Sequence, residues 1–226
     1  FTYNRPKHLN ATLNKIKLNY LYNKTKIYFF CDNFKYLKDE KNVKEVRSIV
    51  SKLKKKNKKI VLRPVNYGLQ KNIVSGVNKL INKYGKVIVL EDDMITSRYF
   101  LKYMNDGLIK YKNSKNVASI HGYSYPNSLT KRKIYYFFLR GSDCWGWATW
   151  KRAWKYYTYD SKKLYSQIMK RNLSKEFNFN NSYDYTGMLK QNIQKKNNSW
   201  AIKWYASTFI RNMYTLYPSK SFILNI

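Results

Sequence analysis

The chain has 226 residues, 44% hydrophobic and 18% aromatic, enough for one sizeable core and unlike a disordered or collagen-like composition. Its 45 Lys and Arg against 12 Asp and Glu give a formal charge of +33, which favours nucleic acid, anionic lipid or phosphorylated small molecules as partners. The joint excess of Lys, Asn, Tyr, Ile and Phe is equally the mark of AT-rich coding sequence, which scatters Lys over any exposed surface.

In chain order, "FTYN" at residues 1–4 reads as a strand, and "RPKHLNATLNKIKLNY" as a helix with Leu9, Leu13, Ile16 and Tyr20 on one face. Pro6 stands where a first helical turn tolerates it. The strand "KIYFFCD" follows, then a helical stripe of Val43, Val46, Ile49, Val50 and Leu53, and then the strand "KIVLRP". Between the last two, "KLKKKNKK" at residues 52–59 is the densest charge run and reads as the solvated end of a helix. Leu69, Ile73, Val77, Leu80 and Ile81 mark a third helix and "KVIVL" a further strand. Strands alternating with helices of this length predict right-handed crossovers and a mostly parallel α/β sheet covered on both faces. The second half is less regular. Phe100, Met104, Leu108 and Tyr111 form a helix face, "VASIH" and "KIYYFFLR" read as strands, and a tryptophan-dense segment, "GSDCWGWATWKRAW", precedes Asn-rich sequence and "SWAIKWYASTFIRN". The chain stops in strand-like "SFILNI", and an excised or truncated single domain over 1–226 is expected. Cys31 and Cys144 show no ligand or disulfide spacing, so reduced thiols are expected. No apolar run approaches the roughly 18 residues of a membrane span and no signal-peptide pattern opens the chain, so it reads as cytoplasmic.

In an open parallel sheet, ligands bind outside the carboxyl ends of the strands. Polar signals fall at three such ends: "TYNRP", "FFCDN" with Asp32, and "LEDD" with Glu91, Asp92 and Asp93. Successive carboxylates repel and need a cation. With oxygen ligands and no His or Cys nearby, that cation is a hard one, Mn²⁺ or Mg²⁺, which retains waters and takes substrate phosphates as further ligands. The competing reading is an acidic cluster compensating the dipole of a helix that begins near Ser97. P-loop chemistry is excluded, because no GxxxxGK[ST] exists and Gly68 stands alone. Glycosyl transfer asks for a Lewis-acid metal on the leaving diphosphate and one carboxylate base. Aromatic platforms for sugar rings are available at Trp145 and Trp147, whereas Trp150 and Trp154 sit at helical spacing and read as core.

"FTYNRPKHLNATL", "NYGLQKNIVSGVNKL", "YGKVIVLEDDMITSRYFLKYMN", "SDCWGWATWKRAW" and "SWAIKWYAS" together resemble nucleotide-sugar glycosyltransferases of GT-A fold. More closely, they are similar to bacterial family-2-like sugar transferases related to the N-acetylglucosaminyltransferase that initiates complex N-glycans. The resemblance implies a GT-A, Rossmann-like fold with a nucleotide-sugar-binding half (1–115) and a smaller acceptor-binding half (116–226). It further implies that Asp93 is the metal ligand, that Glu91 and Asp92 assist the ribose and diphosphate, and that Asp32 and Arg5 approach the nucleotide. Asn66 and Gly68 would open the helix beneath the diphosphate. For the base, the resemblance favours Asp184 in "NNSYDYTGML", and Asp143 is the competitor or a sugar-binding group.

The expected activity is an inverting, metal-dependent transfer from a UDP-linked donor to a saccharide or lipid-linked acceptor, with no nucleic acid involved. An anionic membrane surface, at the inner face, would reconcile the basic charge with such an acceptor. The alternative is a basic, aromatic nucleic-acid-binding module, which predicts steep salt dependence, indifference to divalent metal, and no role for the three acids.

Overall fold

Four amphipathic helices stand where apolar residues recur at helical spacing. In the computed structural model of the chain, which describes residues 1–126 and 133–226, α1 (Pro6–Ile16) buries Leu9, Leu13 and Ile16, with Pro6 at its start. Tyr20 lies beyond this helix and is exposed. Helix α2 (Glu40–Lys52) buries Val43, Val46 and Val50, α3 (Gly68–Tyr84) buries Ile73, Val77 and Ile81, and α4 (Phe100–Lys110) buries Phe100, Met104 and Leu108.

The strands among the described residues form three sheets. β1 (Ile27–Cys31) and β2 (Lys58–Leu62) pair in parallel. β3 (Lys86–Val89), β5 (Val117–His121), β6 (Tyr136–Leu139), β7 (Trp147–Trp150) and β8 (Tyr214–Pro218) form the main sheet in the order β3-β7-β5-β8-β6. β4 (Met94–Thr96) pairs antiparallel with β9 (Ile223–Asn225). The protein is α/β, but its main sheet is mixed rather than mostly parallel. Among the described residues only β5 and β8 pair in parallel there, while β7 runs antiparallel to both β3 and β5, and β6 antiparallel to β8. The crossover through α4 does bring β5 into the same direction as β3. Local periodicity fixes that direction but not adjacency, and a strand from later in the chain, β7, occupies the space between them. The expected strand at "FTYN" reduces to one bridge, Thr2 with Cys31.

Because β3 pairs with β7, the two sequence halves share one sheet. The tryptophan-dense segment ends in the short helix α5 (Lys151–Trp154), and the Asn-rich region folds into helices α6 (Ser161–Lys170), α7 (Ser174–Phe177) and α8 (Tyr185–Ile193), with α9 (Trp200–Phe209) from "SWAIKWYASTFIRN". Leu164, Ile168, Phe177, Leu189, Ile202 and Phe209 give this group its own buried core. The lysine run 52–59 spans the α2–β2 turn. Lys58 caps the α2 carbonyls of Val50 and Ser51, and with Lys59 it lies on an edge strand, where charge discourages further pairing. Among the described residues no helix is long and apolar enough to cross a membrane.

Candidate functional site

The carboxyl ends of β3, β5 and β8 point the same way, and the amino end of the antiparallel β7 meets them. This places Glu91–Asp93, Tyr123 and the Asp143–Trp145 segment along one rim. The N-terminal residues tie β1 to this rim. Thr2 N–H donates to Phe30 O (3.1 Å), the Phe1 nitrogen donates to Leu90 O (2.9 Å), and Tyr3 N–H donates to Asp92 Oδ2 (3.3 Å). Asp32, Asp39, Glu91, Asp92, Asp93 and Asp143 thus gather at one end of the strands, half of the chain's 12 acids. In so basic a chain, that concentration is a property of the site rather than of composition.

The three successive acids differ in state. Asp92 is 3% exposed and fully engaged: Arg5 Nη2 bonds its Oδ1, Tyr3 N–H its Oδ2, and Thr12 Oγ1 its main-chain oxygen (2.8 Å). Asp93 Oδ2 accepts from Arg5 Nη1 at 2.8 Å, while its Oδ1 is buried with no partner. Glu91 is pushed up to about 7 by burial first and by Asp93 and Asp92 beside it. Among the described residues Arg5 is the only cation paired with these carboxylates. Burial alone would lower its guanidinium, but Asp92 and Asp93 outweigh that and hold it above its usual value. The acids do not serve a helix dipole. β4 intervenes, and the first turn of α4 holds no acid.

Asp39 escaped the sequence reading. It accepts from Tyr3 Oη (3.0 Å) and Asn4 Nδ2 (2.9 Å), and so pins the loop that aims Arg5. Only its place near the end of "FFCDN" hinted at this. Asp32 is buried and accepts through Oδ1 from the N–H groups of Asn33 (2.9 Å) and Tyr67 (2.8 Å), which locks the β1 end to the start of α3. Asn66 donates to Asn33 O (2.6 Å), and Gly68 takes φ +70°, the left-handed region that glycine enters at no steric cost.

On the β7 side, Asp143 accepts from Tyr217 Oη at 2.8 Å. Burial first, and Asp143 close by, hold the Tyr217 hydroxyl well above its ordinary value. Tyr125 is raised by the same two causes, and Tyr185 and Tyr205 also feel the Asp143 charge. Asp143 therefore faces a wall of tyrosines. Cys144 joins the two sides: burial pushes its thiol up, followed by the charges of Glu91 and Asp143, so it stays protonated. Cys31 is likewise a free thiol. His121 is pushed down to about 4, by burial above all, and its Nε2 accepts from Trp145 N–H (3.2 Å).

The tryptophans divide. Trp145 is 36% exposed and meets Tyr123 edge-on at 4.9 Å, itself edge-on to Tyr125 at 5.2 Å. Trp147 is a correction: it is 0% exposed, packed on Trp200 at 5.4 Å and Trp154 at 5.6 Å, and no sugar ring can reach it. Gly146 separates the two at φ +57°, where an added Cβ would lie 1.9 Å from Ile223 Cδ1. Trp150 and Trp154 are buried. Asp184 is exposed and caps α8, its Oδ1 accepting from Gly187 N–H (2.8 Å) and Thr186 Oγ1 (3.0 Å).

Among the described residues no three His, Cys, Asp or Glu side chains group closely enough to cage a metal. A cation here would rest on one or two carboxylates and on ligand oxygens, as Mg²⁺ and Mn²⁺ do with phosphates. The orphaned, buried Asp93 Oδ1 fits that role. Neither a family model nor a curated protein matches the chain.

Proposed function

We propose that the protein is a metal-dependent glycosyltransferase of GT-A type that moves a sugar, with inversion, from a UDP-linked donor to a hydroxyl of a saccharide or lipid-linked acceptor. The observation that carries this reading is Asp93 Oδ1, buried and unpartnered beside a Glu91 whose proton affinity is already raised by its neighbours. Such a cluster is short of one cation, and a nucleoside diphosphate delivers phosphate oxygens to share it. Asp93, assisted by Glu91, would hold Mn²⁺ or Mg²⁺, which when bound supplies Lewis-acid stabilisation to the departing diphosphate.

The chain's own residues do the rest. Arg5, fixed between Asp92 and Asp93, presents a positive edge to the nucleotide, and Asp32 sets the loop that leads to Asn66 and Gly68. Trp145 and Tyr123 offer the aromatic platform for the acceptor ring. Asp184 takes the proton of the acceptor hydroxyl through Oδ2 while Oδ1 stays on the helix cap, which holds the carboxylate in one rotamer. The acceptor oxygen bonds to the anomeric carbon, and the anomeric carbon–oxygen bond to the diphosphate breaks with its electron pair. Asp143, among tyrosine hydroxyls, binds sugar hydroxyl groups. The basic surface suits an acceptor presented at an anionic leaflet.

The test is release of UDP from a panel of UDP-sugars in Mn²⁺, with and without saccharide acceptors. Acceptor-stimulated release that falls by about 10²-fold or more in Asp184→Asn, with donor binding intact, is expected. No release from any donor, or equal release after metal removal, would contradict the reading. A collapse in Asp143→Asn with Asp184→Asn unaffected would move the base to Asp143.

A further inference from the structure

At the other end of β7 from the Asp143–Trp145 segment, α5 follows the strand directly. Lys151 N–H donates to Gly85 O (2.8 Å), which ties α5 beside the end of α3 where β3 begins. Between the two helices runs a trough of about 230 Å³. Its α3 wall extends from Val74 to Asn82, about 12 Å of helix. The trough is aromatic along its length. Trp154 is buried, and its Nε1 donates to Asn78 Oδ1 (2.7 Å). Tyr157 stacks on Trp154 at 4.7 Å, and Tyr159, 54% exposed, meets Tyr157 edge-on at 5.4 Å. The Tyr157 hydroxyl is buried without a partner, a costly state for a polar group.

The trough is also cationic. Lys151 and Lys155 line it from α5, and Lys203 of α9 places Nζ 6.0 Å from the centre of the Tyr159 ring. Lys203 is only 7% exposed, and its Nζ donates to the neutral Oε1 of Gln70 (2.8 Å). Among the described residues none of these three lysines forms an ion pair. Asp160, next to Tyr159 in the chain, instead caps α6 by accepting from Lys163 N–H (2.9 Å). Three cations around an aromatic trough, one of them buried, lack an anion.

We propose that this trough is a ligand site in its own right, for a sugar ring that bears one anionic substituent, a phosphate or a carboxylate. The ring lies against Tyr157 and Tyr159, its hydroxyls bond the exposed Asn82 amide and the Tyr157 hydroxyl, and the anionic group pairs with Lys151 and Lys155. The space is below the roughly 300 Å³ at which pockets for drug-sized molecules begin, so it takes a single ring. A bare anion would leave the aromatic surface unused, and a neutral sugar would leave the lysines unpaired. The trough lies outside the acid rim, and the inference is independent of the glycosyltransferase reading.

The test is a proton–nitrogen NMR titration of the chain without divalent metal, in which the Trp154 indole N–H, bonded to Asn78 in the trough, is the reporter. The probes are glucose-6-phosphate, glucuronate, glucose and inorganic phosphate. Glucose-6-phosphate or glucuronate should shift that indole and the amides of 151–159, and bind about tenfold or more tightly than glucose or phosphate alone. Which of the two does so separates a phosphorylated sugar from an acidic saccharide unit. Lys151→Gln combined with Lys155→Gln, and separately Tyr159→Ser, all at exposed positions that leave the fold intact, should each weaken that binding about tenfold or more. No shift at these positions with any probe, an equal response to glucose or phosphate alone, or unchanged affinity in either variant would overturn the proposal. So would shifts confined to 91–93, which would put the ligand at the acid rim instead.

Discussion

On the β3 side, Asp92 and Asp93 share one guanidinium with Glu91 unpaired beside them, whereas on the β7 side Asp143 stands alone among hydroxyl groups. The first arrangement leaves negative charge over, concentrated on Asp93 and Glu91, and on the proposed reading that charge takes a hard cation with an anionic ligand. The second leaves hydrogen-bonding capacity over, beside an exposed aromatic face, and on the same reading that capacity takes neutral, hydroxylated ligands. Both lie on one rim because β7 runs back between two strands that point the other way. Cys144 lies between them, its buried thiol raised further by the charges of Glu91 and Asp143.

Removing the foundation of the β7 side gives the largest expected effect. Trp147→Ala should cost about 4 kcal/mol, read by denaturant unfolding, because a fully buried indole leaves a cavity among Trp154, Trp200 and Trp204. Trp145→Ala, two residues away, should stay within about 0.5 kcal/mol and lose acceptor affinity instead. Equal destabilisation by both changes would erase the distinction between core and platform.

The β3 side answers to pH. Glu91 is held at about 7 in the folded protein against an ordinary 4.5, so its contribution is fully present below 4.5 and is lost as pH rises through 7. Without divalent metal, Glu91→Gln should match the parent near pH 4.5 and exceed it by about 3 kcal/mol at pH 8. A Tm difference that is flat with pH would show that the three acids do not strain one another. A smaller effect than those of Trp147→Ala and Glu91→Gln is expected of Tyr217→Phe, which removes the hydroxyl shared by Asp143 and Gly141 O and should cost about 1 kcal/mol, more than Trp145→Ala, in thermal unfolding.

Legibility in the sequence followed the range of the interaction. Stripes such as Val43, Val46 and Val50 are local, and they located the helices. The acids at the ends of β1 and β3 were visible because a strand end is marked by the chain's own change from apolar to polar. Adjacency in the sheet depends on pairings far apart in sequence, so the insertion of β7 and the strand at "YTLYP" left no local trace. Trp145 and Trp147 are alike in type and setting, and only the left-handed turn at Gly146 sends one outward and the other into the core. Asp39 works through tertiary bonds to Tyr3 and Asn4 that no spacing encodes.

The most direct test of the central claim is calorimetric titration of UDP into the protein with and without Mn²⁺, repeated on Asp93→Ala. Binding that requires the metal and disappears in the variant is the predicted result. Binding that ignores Mn²⁺, or that survives unchanged in Asp93→Ala, would contradict it and leave the three acids with a purely structural role.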